Sequence, residues 1–319
     1  MASNATLRGA SHKRKLTTAA ACVSGEIYQM PDGRAGVRSG KDSIASGDEA
    51  EFSTAGVFEV QKTASVVLLD GGKVYWDHSA NTATYRNNGD RDFYLGTAVG
   101  DAASAAATVN VNINVEPCYT VDMARDSFTS VIAGTAAAGA FGFPRRQGSA
   151  HVLELTATSE VQKGDILSDD GFDINANAIV EFAVDVVADG SGTASDFNIG
   201  LASGTHATDF ESVAEFVAIH LDENALDILV HSDDGTTDTA LVDSTVNYAE
   251  GTRFEGWIDC RDPSDVQVYI DGVLVLGASD FALDGGSGPL FLVAHLEKTT
   301  GTDTYEVKVD WLRARIAEV

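Results

Sequence analysis

Residues 108–115 read Thr-Val-Asn-Val-Asn-Ile-Asn-Val, which puts Val109, Val111, Ile113 and Val115 on one side of the chain and Asn110, Asn112 and Asn114 on the other. A period of two belongs to a strand with one buried and one wet face. Short apolar alternations of this kind recur throughout, separated by Gly, Asp, Asn and Ser, and the 31 glycines supply abundant turn positions. Helical periodicity is confined to short pieces. The pattern predicts an all-β protein.

A chain of 319 residues is longer than one typical domain, and 44% hydrophobic residues suffice for two cores. From Val23 to Val115 the alternations are short, with turns at Pro31-Asp32-Gly33, Ser46-Gly47-Asp48, Asp70-Gly71-Gly72 and Asn87-Asn88-Gly89-Asp90. This spacing predicts a small barrel or sandwich. Pro117 removes a backbone donor and ends the run, marking a boundary. The Ala/Gly-rich stretch Ala133–Gly142 is open between loop, short helix and extended strand. The organisation reads as an N-terminal arm at 1–20, a β-domain at 21–116, and a linker with a second β-domain at 117–319.

In the second domain the runs lengthen. Val180, Phe182, Val184 and Val186 share one face, as do Tyr305, Val307, Val309 and Trp311 against Glu306, Lys308 and Asp310. Phe254 to Asp259 leads through Asp262-Pro263-Ser264 to Val266–Ile270, then Asp271-Gly272, then Val273–Leu276. Asp-Gly between apolar runs signals a two-residue hairpin, because both turn residues need positive φ.

Four elements of the first domain occur in a familiar order: Gly56-Val57-Phe58-Glu59-Val60, Gly72-Lys73-Val74-Tyr75-Trp76-Asp77, Gly96-Thr97-Ala98 with an Ala-rich turn after it, and the alternation Val109 to Ile113. This order resembles a phage family of head decoration, or cement, proteins, over about the first third of the chain. The resemblance implies a β-tulip-like docking domain, binding to a major capsid protein, and a homotrimer at a local threefold position. The stretch Trp257-Ile258-Asp259 followed by Asp265 to Val275 resembles the hairpin of concanavalin-like or laminin-G-like jelly rolls. It implies an antiparallel sandwich closed by a final strand, Thr304–Ile316.

The formal net charge is −27, from 48 acidic and 21 basic side chains, which disfavours nucleic acid as a partner of the body. The basic exception is the start, where Arg8, Lys13, Arg14 and Lys15 precede the first acid, Glu26. Those four are the capsid-binding candidates; a solvated tail is the competing reading. The stretch between Lys15 and Cys22 is too short and too rich in threonine for a secretory apolar core of about 7 to 15 residues. No window approaches the roughly 18 apolar residues of a membrane helix. Cys22, Cys118 and Cys260 are too scattered for a metal motif or a disulfide framework, so reduced thiols and assembly in a host cytoplasm are expected.

No GxSxG, Walker loop, HExxH or post-strand GxGxxG occurs, so no enzyme and no cofactor is expected. The strand Glu181-Phe182-Ala183-Val184-Asp185 lacks the paired glutamates of concanavalin-like glycosidases, which as retaining hydrolases need carboxyls about 5 Å apart. The histidines His12, His78, His151, His206, His220, His231 and His295 are never at ligand spacing; His220 and His231 alone sit where a hairpin could bring them together. Acidic turns at Asp169-Asp170, Asp189 and Asp262 with Asp265, and above all Asp233, Asp234 and Asp238, are weak Ca²⁺ candidates, although the last run lacks the final Glu of an EF-hand. Trp257, Tyr269 and Trp311 are glycan-binding candidates by type, but their alternation places them in the core. The sequence reading is a capsid decoration protein on the virion exterior; the alternative is a virion adhesin that binds host glycans through its jelly roll.

Overall fold

The computed structural model describes residues 5–8, 12–89, 91–133, 145–157, 159, 161–173, 176–188, 195–206, 209–222, 226–278, 281–302 and 304–317. It divides into two compact units, Met1–Cys118 and Tyr119–Val319.

The first unit contains β1 (Ala5–Leu7), β2 (Lys13–Thr17), β3 (Ile27–Gln29), β4 (Ala35–Arg38), β5 (Glu49–Ser53), β6 (Val57–Gln61), β7 (Lys73–Asp77), β8 (Thr82–Thr84), β9 (Phe93–Ala98) and β10 (Thr108–Ile113). They form two antiparallel sheets, β1-β6-β10-β9-β7-β8 and β2-β5-β4-β3. The larger sheet curls until Lys62, just past β6, makes a single bridge to Ala83 of β8, which stops short of a closed barrel.

Strand β10 buries Val109, Val111 and Ile113 and exposes Asn110, as its alternation requires. Val115 departs from the pattern and is 42% exposed, because the strand ends at Ile113 and Asn114 turns into the left-handed region at φ 60°. Asn114 is not a wet-face residue either. Its Nδ2 donates to the carbonyls of Ala35 (2.9 Å) and Thr54 (2.7 Å), and its Oδ1 accepts from the Ala35 N–H (2.8 Å). One side chain thus ties β10 to the second sheet. Gly96 has φ 154°, and a Cβ there would collide with the Asn112 carbonyl on the neighbouring strand, so this motif position admits only glycine.

The segment read as an arm is woven into both sheets. Ala5 pairs with Val60 through β1, and Lys13 with Ser53 through β2. Each is an edge strand, where exposed cations are tolerated because only one side must pair.

The second unit contains β11 (Val121–Asp122), β12 (Phe128–Ala133), β13 (Arg145–Gln147), β14 (Ala150–Glu154), β15 (Gln162–Asp173), β16 (Ala178–Ala188), β17 (Ser195–Ala202), β18 (Phe216–Asp222), β19 (Asp227–Asp233), β20 (Asp238–Asn247), β21 (Arg253–Asp259), β22 (Gln267–Ile270), β23 (Val273–Val275), β24 (Pro289–Lys298) and β25 (Glu306–Ile316), with one 3-10 turn at Phe210–Ser212. One sheet runs β13-β14-β25-β16-β21-β22-β23, with β11 also on β25; the other runs β12-β15-β24-β17-β18-β19-β20. Val180, Phe182, Val184, Tyr305, Val307 and Val309 of the first pack against Ile166, Ile199, Ile219, Val230 and Ala294 of the second in one core. This is an antiparallel sandwich of jelly-roll type. The stretch Ala133–Gly142 lies, beyond Ala133, outside the described residues.

Asp271 and Gly272 have φ 49° and 76°, and Ile270 pairs with Val273, giving the two-residue hairpin that the sequence requires. Strand β25 is less regular. Its pairing with β16 shifts between Val309↔Val184 and Trp311↔Ala183, so Asp310 is an extra residue. The bulge reverses the phase: Leu312 and Ala314 continue the core while Trp311 leaves the face of Val309.

Candidate functional site

The capsid-binding candidates sit on or beside the edge strands, exposed, and each meets an acid of its own unit. Arg8 pairs with Glu59 (2.6 Å), Lys13 with Glu51 (2.7 Å), Lys15 with Glu49 (2.6 Å), and Arg14 with Asp32. The hydrogen bonds from Arg34, with those from Arg14, hold Asp32 at about 2. Exposed pairs of this kind are weak and exchange readily.

Asp189 lies outside the described residues, and the main calcium candidates Asp233, Asp234 and Asp238 each meet donors of their own unit. Asp234 spends its carboxylate on backbone N–H groups, Oδ1 accepting from Thr236 (2.8 Å) and Thr237 (2.6 Å) and Oδ2 from Gly285 (3.0 Å). Asp233 accepts from the Gly235 N–H, and Asp238 faces His231 Nε2 at 2.7 Å. Asp233 and Asp234 thus stitch the turn through its own amides, and Asp234 also ties it to the segment at Gly285.

Chemistry gathers elsewhere, on the face of the seven-stranded sheet turned away from the core. Asp165 of β15 lies opposite His295 of β24, His295 opposite Asn198 of β17, and Asn198 opposite His220 of β18, so four polar residues form one row across four strands. Lys163 and Glu297 are opposed in the next row. The β17–β18 connection covers this face: Phe210, Val213 and Phe216 pack with Ala202, Ala218 and Val293, and the Phe210 ring stacks on His295 at 5.7 Å.

Beneath that cover a chain of buried groups runs from sheet to connection. Lys163 Nζ is 3.2 Å from Glu297 Oε2, which is 3.0 Å from His295 Nε2. His295 Nδ1 is 2.6 Å from Asp165 Oδ1, and Asp165 Oδ2 is 2.7 Å from Nδ1 of His206. Carboxylates only accept, so each facing nitrogen donates. Burial opposes a charged His295, but the hydrogen bonds it donates to two flanking carboxylates outweigh this and raise its pKa to about 9. Asp165 and Glu297 are desolvated too, yet their imidazole and ammonium neighbours hold both below the usual carboxylate range. His206 Nε2 is buried with no partner among the described residues.

His220 and His231 do not meet as a pair: His220 Nδ1 faces Asn198 Oδ1 at 2.9 Å and His231 faces Asp238. The pair that forms, His206 with His295 (ring centroids 4.3 Å), was not apparent from spacing. One available signal is the alternation Lys163-x-Asp165 and His295-x-Glu297 inside apolar strands.

The other sheet carries a second buried network on its own outer face. Glu181 accepts from Tyr119 Oη (3.0 Å), Arg313 Nε (3.1 Å) and Arg315 Nε (3.0 Å). Burial acts against the Glu181 carboxylate, and the charges of Arg315 and Arg313 more than compensate, keeping its pKa low. Arg313 stacks over Tyr119 (4.3 Å) and Trp311 (4.8 Å). Trp257 and Tyr269 are opposed on this same face and buried, so neither belongs to the sandwich core. Cys22 and Cys260 are buried thiols and Cys118 an exposed one. Among the described residues no helix is long and apolar enough to cross a membrane.

Residues 8–113 match the model of a family described as phage cement protein. The matched span covers β2 to β10, including the four motif strands β6, β7, β9 and β10, and none of the second unit. No curated protein matches the chain. Among solved structures, one described as "Prominent members of the human gut microbiota express endo-acting O-glycanases to initiate mucin breakdown" is 11% identical over 63% of this chain and 100% of that one, with a TM-score of 0.46. The carbohydrate recognition domain of Emp47p is 10% identical over 62% of this chain and 94% of its own, with a TM-score of 0.44. LamAcat from Zobellia galactanivorans is 11% identical over 53% and 78%, with a TM-score of 0.39. Likeness at that level carries no argument about what this chain does.

Proposed function

We propose that this chain is a capsid decoration protein that docks on the outside of a phage head through its first unit and stabilises the shell without catalysing a reaction. The observation that carries the reading is the cement-family match over residues 8–113. A subunit that binds the assembled shell and not its dissociated parts stabilises the shell by mass action. A homotrimer presents the same patch three times to equivalent neighbours, which suits a local threefold position. The net charge of −27 argues against the packaged nucleic acid as a partner. The major capsid protein is the proposed partner, with assembly in the host cytoplasm.

Arg8, Lys13, Arg14 and Lys15 are the proposed contact residues. They line the two edge strands, and their exposed internal ion pairs can be exchanged for acids on a capsid surface at little cost. The glycan-binding alternative would need exposed aromatic platforms; Trp257 and Tyr269 are buried, and half-buried Trp311 carries the guanidinium groups of Arg253 and Arg313 over its ring. Co-sedimentation with emptied heads tests the proposal. Wild-type protein should pellet with heads and raise their rupture temperature, and absence of binding would overturn the reading. Lys13→Glu with Lys15→Glu should weaken binding strongly; undiminished binding would remove these cations from the interface.

A further inference from the structure

We propose that Asp165, His206 and His295 hold one divalent transition-metal ion, Zn²⁺ by preference, which fastens the β17–β18 connection to the outer face of the seven-stranded sheet. The donor atoms of these three buried residues lie within 4.8 Å of one another. Two imidazoles and one carboxylate form a donor set that suits Zn²⁺, Co²⁺ or Ni²⁺, whereas Ca²⁺ and Mg²⁺ require a shell of oxygens. Asp165 and His295 stand on neighbouring strands in register, so two ligands are fixed by the sheet itself. His206 comes from the connection, and its Nδ1 reaches inward to Asp165 Oδ2 at 2.7 Å.

Two further features point to an ion. The second nitrogen of His295 is 3.0 Å from Glu297 Oε2, and Glu297 is 3.2 Å from Lys163, the outer support that orients a ligating histidine and sets its tautomer. Independently, His206 Nε2 is buried without a partner among the described residues, so the burial of that ring rests on what its Nδ1 meets. A metal bond at Nδ1 would hold it more strongly than the single hydrogen bond to Asp165 Oδ2 at 2.7 Å. The spacings of 2.6 and 2.7 Å from the Nδ1 atoms to Asp165 are hydrogen-bond lengths. Ligand atoms around a tetrahedral Zn²⁺ stand about 3.3 Å apart, so each imidazole nitrogen has to move off its Asp165 oxygen by less than about 1 Å to admit the ion. On binding, His295 releases its Nδ1 proton to solvent and keeps Nε2–H on Glu297. His206 ligates through Nδ1 and carries its proton on Nε2. A water molecule completes four-coordination.

The test uses the full chain, stripped with EDTA and titrated with ZnCl₂ alone by calorimetry, with metal content read by mass spectrometry. One Zn²⁺ per chain is expected, with a higher melting temperature and no response to CaCl₂. His206→Ala should reduce affinity at least tenfold, while His78→Ala in the first unit should leave it unchanged. Because His206 is outside the strands, its variant keeps the sheet, which circular dichroism verifies. A Co²⁺ spectrum provides a second readout: tetrahedral visible bands in the wild type, lost in His206→Ala. No Zn²⁺ uptake, or full affinity and an unchanged Co²⁺ spectrum in His206→Ala, would overturn the proposal and leave the cluster as a hydrogen-bonded network only.

Discussion

Glu181 and Asp165 are both buried carboxylates on central strands, each on the outer face of its sheet, yet the company they keep is chemically different. Glu181 collects two guanidinium groups and a phenol; Asp165 collects two imidazoles. An arginine stays charged whatever happens around it, so removing its partner strands a charge in the interior. An imidazole can shed its proton or give it up to a metal, so the Asp165 network has ways to adjust that the Glu181 network lacks. The first arrangement specifies structure and little else. The second is one that a ligand or a proton can address.

The sharpest way to break this comparison is truncation of the two carboxylates. Glu181→Ala should cost about 3–5 kcal/mol of unfolding free energy, measured by denaturant titration, because Arg313 and Arg315 are left unpaired. Asp165→Ala in metal-free protein should cost less, about 1–3 kcal/mol, as the imidazoles lose hydrogen-bond acceptors without trapping charge. Equal losses would abolish the distinction.

Acid provides a finer test. The folded pKa of Glu181 is held below its unfolded value, so its contribution is complete above the unfolded pKa of about 4.3 and is lost as pH falls through the folded one. Glu181→Gln should therefore flatten the acid limb of the stability curve relative to wild type; an unchanged slope would show that other carboxylates control it. The smallest effect belongs to the surface of the first unit. Lys15→Ala breaks an exposed pair with Glu49 and should shift the denaturation midpoint less than either carboxylate variant.

What the sequence reveals of this molecule divides along physical lines. Period-two alternation finds β10 and β16, and Asp271-Gly272 places the β22–β23 hairpin, because those signals act within a few residues. Trp311 was misplaced because a single inserted residue, Asp310, reverses the phase of β25, and composition carries no mark of a bulge. Residues 1–20 read as an arm because their charges are all basic, whereas Ala5–Leu7 and Lys13–Thr17 are edge strands, which need only one paired side. The Asp165 site stayed hidden for a different reason. His295 lies 130 residues beyond Asp165, and strand pairing at that separation is set by the whole sheet. Composition does not show, either, that Asp233 and Asp234 accept backbone amides and that Asp238 faces His231.

Strand β25 lies between β14 and β16 in its sheet, although it follows every other described strand in the sequence. During synthesis β16 can therefore pair with β21 on one side, but its other edge stays open until residues near Ile316 have left the ribosome. The β22–β23 hairpin can close at once, but the sheet cannot join its two halves until the final strand arrives. Premature stops after β24 would then give a product with β13-β14 severed from β16-β21-β22-β23, a substrate for chaperones and proteases.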